Sequence, residues 1–81
     1  MNIFSGIEYK VLKDVNLDRK YDGIEYDSRK IKGNYIFVAF EGTNVDGHDY
    51  IDSAVKNGAT CIIVSKEVEM KYNVSYVLIE E

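Results

Sequence analysis

The sequence lacks the residues on which several common kinds of binding and catalytic site depend. It has one cysteine, Cys61, so an internal disulfide and a cysteine-based metal cluster are both excluded. Cys61 stands in the apolar run 61–64, which predicts a buried small hydrophobic residue rather than a nucleophile. The single histidine, His48, gives no second imidazole for a histidine-based metal site. We therefore expect no metal site and no catalytic residue within the chain.

Phosphate-binding motifs, long apolar runs and an excess of basic residues are also missing. Neither GxxxxGK[ST] nor GxGxxG occurs, so an ATP site of the kind that those motifs build is not expected. No apolar run approaches the roughly 18–20 residues that cross a bilayer, and the first residues lack the features of a signal peptide. The net charge of −4 argues against a nucleic-acid or anionic-membrane surface. The sequence predicts a cytoplasmic protein that binds neither nucleic acid nor a membrane.

What is present is the pattern of one small α/β domain. The chain of 81 residues is 46% hydrophobic and 30% charged, as is usual for a globular protein. Period-2 and helical patterns predict, in chain order, a short helical turn at 1–6, strands at 8–12, 23–27 and 35–40, a helix at 48–57, a strand at 60–64, a short helix at 66–72 and a strand at 74–79. The strand at 35–40 is apolar on both faces and should be central in the sheet.

The strand–helix–strand succession from residue 35 to 64 predicts a parallel βαβ unit. Asp46 or Asp49 is suited to cap the helix, and Gly58 is suited to the left-handed position that ends it. On the buried face of this helix we expect the residues Tyr50, Ile51, Ala54 and Val55. The predicted fold is therefore a small mixed sheet that contains a parallel βαβ unit, with helices packed on it.

Two polar loops flank the apolar strand at 35–40 and are the candidate binding groups. The turn Asp27-Ser28-Arg29 follows a strand and offers a hydroxyl, a guanidinium and backbone N–H groups, which suit phosphate or ribose oxygens. Residues 27–33 carry a local charge of +2, from Arg29, Lys30 and Lys32 against Asp27. Asp27 and Ser28 serving only to close a turn is an equally good interpretation, and both stay open at this point.

The second loop, residues 42–47, precedes the helix N-terminus, where unpaired N–H groups favour an anionic or carbonyl-rich ligand. Asp46 acting only as a helix cap is the competing interpretation. Ser28, His48 and an aspartate could in principle converge as a hydrolase site, although a His48 held by packing or by a cap is the stronger expectation.

Several motifs of the chain agree in order and spacing with one known family. They are Tyr26-Asp27-Ser28-Arg29-Lys30, Gly33, Ile36-Phe37-Val38-Ala39, Gly42, Asp46-Gly47-His48, Ala54, Gly58-Ala59 and Ile62-Ile63-Val64. Over residues 22–65 the chain resembles the N-terminal domain of the Mur ligases, ATP-dependent enzymes that add amino acids to the UDP-N-acetylmuramoyl peptide precursor of peptidoglycan. The pattern is most similar to the tripeptide synthetases, MurE, and the D-alanyl-D-alanine-adding ligases, MurF, are the close alternative. The run 32–35, KGNY, departs from the family's commoner pattern.

The resemblance implies that residues 1–81 form a domain that holds the UDP moiety of UDP-N-acetylmuramoyl-L-alanyl-D-glutamate. The contacts that it implies are Tyr26, Ser28, Thr43, Asn44 and Val45, with Arg29, Asp46 and His48 as secondary contacts. It also implies an inactive fragment without a cofactor of its own, whose parent is an amide-forming ligase of cell-wall synthesis, and so of cell shape and division. ATP and Mg²⁺ would then act in a central domain, and a C-terminal domain would choose the amino acid. A stand-alone interaction module remains the alternative of a different class.

Overall fold

The structure, a computed structural model, describes residues 8–79 as a single sheet with one α-helix and two short 3₁₀ turns. The helical turn predicted at 1–6 lies outside this range. The elements in chain order are β1 (Lys10–Lys13), β2 (Gly23–Glu25), the first turn (Ser28–Lys30), β3 (Tyr35–Val38), the second turn (Gly47–Tyr50), α1 (Ile51–Lys56), β4 (Cys61–Val64) and β5 (Ser75–Leu78).

The five strands form one mixed sheet in the order β1-β5-β4-β3-β2. The strands β2, β3, β4 and β5 pair in parallel with their neighbours, while β1 runs antiparallel to β5. Phe37 lies opposite Ile62 in the β3–β4 pair, which confirms the predicted parallel unit. β3 is an interior strand, as expected, but β4 occupies the middle and is buried along its whole length. The predicted α/β fold class is confirmed.

Alternate residues of the strands enter two hydrophobic cores, one on each face of the sheet. The larger core packs Phe37, Ile62 and Tyr76 against Ile51 and Ala54 of α1. The smaller core, on the opposite face, joins the buried residues Leu17, Ile36, Cys61, Ile63 and Val77. Cys61 is fully buried, as predicted, and this burial raises the pKa of its thiol to about 11.

The predicted helix at 48–57 begins differently from what the sequence indicates. Residues 47–50 form a 3₁₀ turn, and the α-helix proper starts at Ile51. Tyr50 was expected on the buried face, but it is 43% exposed because it lies in that turn, before the helical repeat begins. Asp46 caps this 3₁₀ turn, because its side chain accepts a hydrogen bond from the His48 N–H. The predicted cap of the α-helix itself is wrong, since Tyr50 is the N-cap residue of α1 and makes no side-chain cap bond.

Gly58 has a φ of +111°, which confirms the prediction that it takes the left-handed position at the end of α1. A Cβ at this position would also lie 2.7 Å from the Cα of Gly33, so two chain segments meet there at a distance that only glycine permits. This contact holds the loop before β3 against the loop before β4.

The prediction of a short helix at 66–72 is wrong, because this segment contains no helical residues. Its larger apolar residues Val68, Met70 and Tyr72 recur every second position, a spacing that does not build a helical face. Val68 and Tyr72 instead pack on the larger core from an irregular segment, and the Tyr72 hydroxyl donates to Asp52 Oδ1 at 2.7 Å.

The strand ends also differ from prediction, each for a local reason. β1 is displaced to Lys10–Lys13, and its pairing with β5 shifts between Val11 and Lys13, so Leu12 is the extra residue of a bulge. The strand predicted at 23–27 ends at Glu25. Ile24 is 54% exposed because β2 lies at the edge of the sheet, and Tyr26, which follows the strand, is 75% exposed. No helix between residues 8 and 79 is long and apolar enough to cross a membrane.

Candidate functional site

A groove of about 800 Å³ opens beyond the carboxyl ends of β2 and β3. Parallel strands deliver their carboxyl ends to one edge of a sheet, and this edge is where open α/β sheets bind ligands. The first turn forms one wall, the loop after β3 forms another, and α1 closes the floor. The lining residues are Tyr26, Asp27, Ser28, Arg29, Val38, Phe40, Gly42, Val45, Gly47, Tyr50, Ser53, Lys56 and Asn57.

The first turn is closed by Asp27, which accepts hydrogen bonds from both the backbone and the side chain of Arg29. Asp27 Oδ1 lies 3.0 Å from the Arg29 backbone N and 3.0 Å from Nε, and Oδ2 lies 2.9 Å from Nη2. The side-chain bonds from Arg29, followed by its backbone N–H, lower the pKa of Asp27 to about 2. Much of the charge of Arg29 is therefore already matched by a carboxylate.

Ser28 is the buried residue of this turn, at 5% exposure. Its backbone carbonyl accepts a hydrogen bond of 2.8 Å from Asn57 Nδ2, which ties the turn to the end of α1. Its hydroxyl forms no hydrogen bond with any residue between 8 and 79, and none of the fully buried side-chain polar atoms in that range lacks a partner. The Ser28 hydroxyl therefore reaches the groove and is available to a ligand.

The opposite wall is a tight hairpin, residues 40–47. Its backbone closes through Gly42 N–H to Val45 O at 2.7 Å and Gly47 N–H to Phe40 O at 2.6 Å. A Cβ at Gly47 would lie 2.8 Å from the Phe40 backbone nitrogen, so the two arms approach too closely for any other residue. Residues 43 and 44 form the exposed tip.

A cluster of charged and polar residues adjoins the hairpin but is not part of the groove lining. Asp46 accepts from the His48 backbone N–H at 2.9 Å, from the Lys66 Nζ at 2.7 Å and from the His48 ring Nδ1 at 2.6 Å. Lys66, followed by the His48 backbone and ring, holds the pKa of Asp46 far below its usual range. His48 Nε2 accepts from the Ser65 backbone N–H at 3.2 Å. Because that nitrogen is occupied, it is not available to activate Ser28, and the geometry does not support the hydrolase hypothesis.

The structure brings some of the predicted contact residues together and separates others. Tyr26, Ser28, Arg29 and Val45 line the groove. Thr43 and Asn44 lie at the exposed tip of the hairpin, next to Val45, and are not part of the lining. The side chains of Asp46 and His48 are engaged in the cluster that adjoins the hairpin and do not line the groove either.

The sequence did not point to the contribution of α1 and its preceding turn. Tyr50, Ser53 and Asn57 lie along the groove at i, i+3 and i+7, the spacing of one helical face, and Lys56 adjoins them. That periodicity was available in the sequence, but Tyr50 was assigned to the buried face. Phe40 was assigned to a buried strand, although it is half exposed and lines the groove.

Clusters of metal-ligating side chains and glycine-rich loops hold metal ions or phosphates in many proteins. No group of three potential metal-ligating side chains occurs between residues 8 and 79. The sequence has no glycine-rich phosphate loop followed by lysine.

The family and sequence comparisons agree with each other. A sequence model described as "Mur ligase family, catalytic domain" matches residues 20–80. Over all 81 residues the chain is 90% identical to the UDP-N-acetylmuramoyl-L-alanyl-D-glutamate–2,6-diaminopimelate ligase of Fusobacterium nucleatum, and it covers 17% of that protein. Over 58 residues, 72% of the chain, it is 48% identical to the ligase of the same name from Oceanobacillus iheyensis and covers 12% of it. The chain is thus similar to a minor part of much longer proteins.

Solved structures give the same result for the fold. The MurF ligase from Thermotoga maritima, in complex with ADP, matches 72% of the chain with a TM-score of 0.61 and 33% identity, over 13% of its own length. The UDP-N-acetylmuramoylalanyl-D-glutamyl-2,6-diaminopimelate–D-alanyl-D-alanyl ligase from Acinetobacter baumannii matches 73% of the chain with a TM-score of 0.63, over 13% of its length, and at 24% identity it supports the fold alone. With a family model matched over most of its residues, the chain belongs to the Mur ligase family, as the motifs at 26–30 and 46–48 predicted.

Proposed function

We propose that this chain is the N-terminal, UDP-binding domain of an ATP-dependent ligase of peptidoglycan synthesis. In this proposal the parent enzyme adds the third residue to UDP-N-acetylmuramoyl-L-alanyl-D-glutamate in the cytoplasm, and the groove holds the UDP moiety. The single observation that carries the proposal is a groove at the carboxyl ends of parallel strands into which the free hydroxyl of Ser28 opens.

The composition of the groove suits a nucleoside diphosphate. Tyr26, Phe40 and Tyr50 supply exposed aromatic surface on which a base can stack. Arg29 and Lys56 give the lining two cations against the one carboxylate of Asp27, a local charge of +1 in a chain whose net charge is −4. Lys56 forms no ion pair with a residue between 8 and 79, so its charge is available for a phosphate.

Val45 and the hairpin tip complete the proposed contacts. Val45 is 54% exposed on the groove wall, and a bound ligand would cover part of its apolar surface. We expect Thr43 and Asn44 to contact the ligand from the exposed tip, mainly through their backbone groups. Arg29 remains a secondary contact because Asp27 already engages it.

The addition of 2,6-diaminopimelate is favoured over the other chemistries of the family. The Fusobacterium nucleatum relative that is named for this reaction is 90% identical over the whole chain. The MurF alternative has its support in the solved structures, at 33% identity or below. In this proposal ATP, Mg²⁺ and the incoming amino acid bind central and C-terminal domains of the parent.

Titration of the ¹⁵N-labelled chain with UDP tests the proposal. Amide shifts are expected at residues 26–29 and 40–48 and along the groove side of α1. Ser28→Ala should weaken UDP binding by about 1 kcal/mol, roughly fivefold, because one hydrogen bond is lost. Asn73→Ala is the matched control, since Asn73 is exposed and lies outside the groove.

A folded chain that shows no shifts at millimolar UDP, or shifts spread away from the groove, would refute the UDP assignment. Reading the gene beyond position 81 separates the ligase from the stand-alone interaction module. A downstream phosphate loop of the GxxGKT type supports the ligase, while a stop codon directly after Glu81 supports the module.

A further inference from the structure

The His48 side chain is only 5% exposed, although it belongs to the second turn and immediately follows the groove hairpin. Its Nε2 lies 3.2 Å from the backbone nitrogen of Ser65, and its Nδ1 lies 2.6 Å from Asp46 Oδ1. A backbone N–H can only donate, so Nε2 must accept and the ring proton must reside on Nδ1. Both ring nitrogens are thereby used in holding the protein together.

These two bonds connect the hairpin to the end of the middle strand. Asp46 lies in the second arm of the hairpin and pairs with Glu41 of the first arm, near the base of the hairpin. Ser65 directly follows β4, which is buried along its length. Through the His48 ring, the hairpin is therefore connected to the end of the buried middle strand.

A second connection runs parallel to the first but is exposed to water. Lys66 Nζ lies 2.7 Å from Asp46 Oδ2 and 3.1 Å from Glu41 Oε1, and the Lys66 side chain is 46% exposed. Exposed ion pairs contribute little because water and salt screen them, whereas hydrogen bonds of a buried ring are costly to lose. The two connections form a natural pair for comparison.

We propose that His48 is a positioning residue: its neutral, Nδ1-protonated ring fixes the 40–47 hairpin so that Val45 and the Gly42 backbone face the groove before a ligand arrives. This inference rests on the proposed function, because it assigns His48 a part in UDP binding without contact to UDP. A wall that is already ordered loses less conformational freedom on binding, which strengthens the affinity.

Amide hydrogen exchange without ligand tests the hairpin connection directly. His48→Ala should speed exchange of the Gly42 and Gly47 amides, which close the hairpin, by about tenfold through local opening. The Ala39 amide, which bonds to Ile63 O within the sheet, should exchange at the wild-type rate. His48→Gln, which retains an acceptor toward Ser65, should restore part of the protection, and Lys66→Ala should change it little.

Unchanged exchange at Gly42 and Gly47 would overturn the proposal, and so would an equal acceleration at Ala39, since that pattern means a general loss of stability. Two-bond ¹H–¹⁵N spectra of the ring should show the Nδ1–H form, and an Nε2–H form contradicts the assignment.

UDP titration of the same variants tests the link to binding. His48→Ala should weaken UDP binding severalfold, and His48→Gln should recover part of the loss. Binding that is unchanged despite a loosened hairpin overturns the positioning role. Failure of the wild-type chain to bind UDP would defeat the proposed function, while the exchange data would still decide whether His48 fixes the hairpin.

Discussion

The two walls of the groove each contain a 3₁₀ turn that is capped by an aspartate, but the two turns have different roles. Asp27 and Asp46 have nearly the same backbone angles, φ −102°, ψ 112° and φ −101°, ψ 113°, and each carboxylate accepts from the N–H two residues later. In each turn the side chain of that later residue, Arg29 or His48, returns to the same carboxylate. The sequences Asp-Ser-Arg and Asp-Gly-His are thus two versions of one capped 3₁₀ turn.

Tertiary surroundings separate the two turns. The Arg29 side chain is 88% exposed and, among residues 8–79, bonds only within its own turn, whereas the His48 ring is buried and reaches Ser65. The middle residues differ in the same way, because Ser28 directs a free hydroxyl into the groove while Gly47 has no side chain and packs against the Phe40 backbone. The shared cap motif therefore predicts the turn. The tertiary surroundings then decide whether the turn offers groups to a ligand or packs within the protein.

The largest expected difference between the turns concerns their middle residues. Gly47→Ala should lower the free energy of unfolding by about 1–3 kcal/mol, because its Cβ would meet the Phe40 backbone at 2.8–2.9 Å and backbone atoms have little room to move. Ser28→Ala should change it by less than about 0.5 kcal/mol, because the hydroxyl has no partner among residues 8–79. Urea unfolding at neutral pH measures both. Similar losses for the two variants would mean that the middle residues play the same structural role.

A smaller effect is expected from the connection of the first turn to α1. Asn57→Ala removes the 2.8 Å hydrogen bond to Ser28 O and should cost about 1 kcal/mol of unfolding free energy. The accompanying amide shifts should be confined to residues 28–30 and the end of α1, with the 40–47 hairpin unchanged. Asn73→Ala serves as the control for loss of an exposed asparagine. Shifts that spread into the hairpin would show that the two walls are coupled, contrary to the separation described above.

The fold was predictable wherever the apolar pattern was regular. The apolar runs at 35–38 and 61–64, with a helical pattern between them, predicted the parallel unit correctly, because burial on both faces leaves few other arrangements. The irregular segments were not predictable in the same way. The bulge at Leu12 and the extended segment 66–72 depend on partners that are distant in sequence, and local spacing does not reveal those partners.

The sequence predicted the two motifs of the candidate site, but it did not predict which side chains line the groove. The motif at 26–29 and the loop at 42–47 were found from turn chemistry and from the family resemblance, and both reach the groove. Which side chains face the groove depends on how α1 lies against the two turns. That packing turns Tyr50 and Lys56 toward the groove and the His48 ring away from it, a division that the residue types alone do not contain.

The smallest expected effect is the dependence of stability on acid. Asp27 and Asp46 both have folded pKa values below their ordinary value of 3.8, to about 2 for Asp27 and further for Asp46. The unfolded chain therefore binds protons first as the pH falls, so the stabilisation from both groups is complete above about pH 5 and declines below about pH 4, ending near pH 2 for Asp27 and continuing to lower pH for Asp46. Asp46→Asn should reduce the fall in melting temperature between pH 7 and about pH 1.5 more than Asp27→Asn does. The reason is that the Asp46 carboxylate is bonded to Lys66 and His48, while among residues 8–79 the Asp27 carboxylate is bonded only to Arg29. Thermal unfolding at four or five pH values measures the fall in melting temperature. An equal reduction for the two variants would mean that the bonds from Lys66 and the His48 ring do not stabilise the Asp46 carboxylate beyond what the capped turn itself provides.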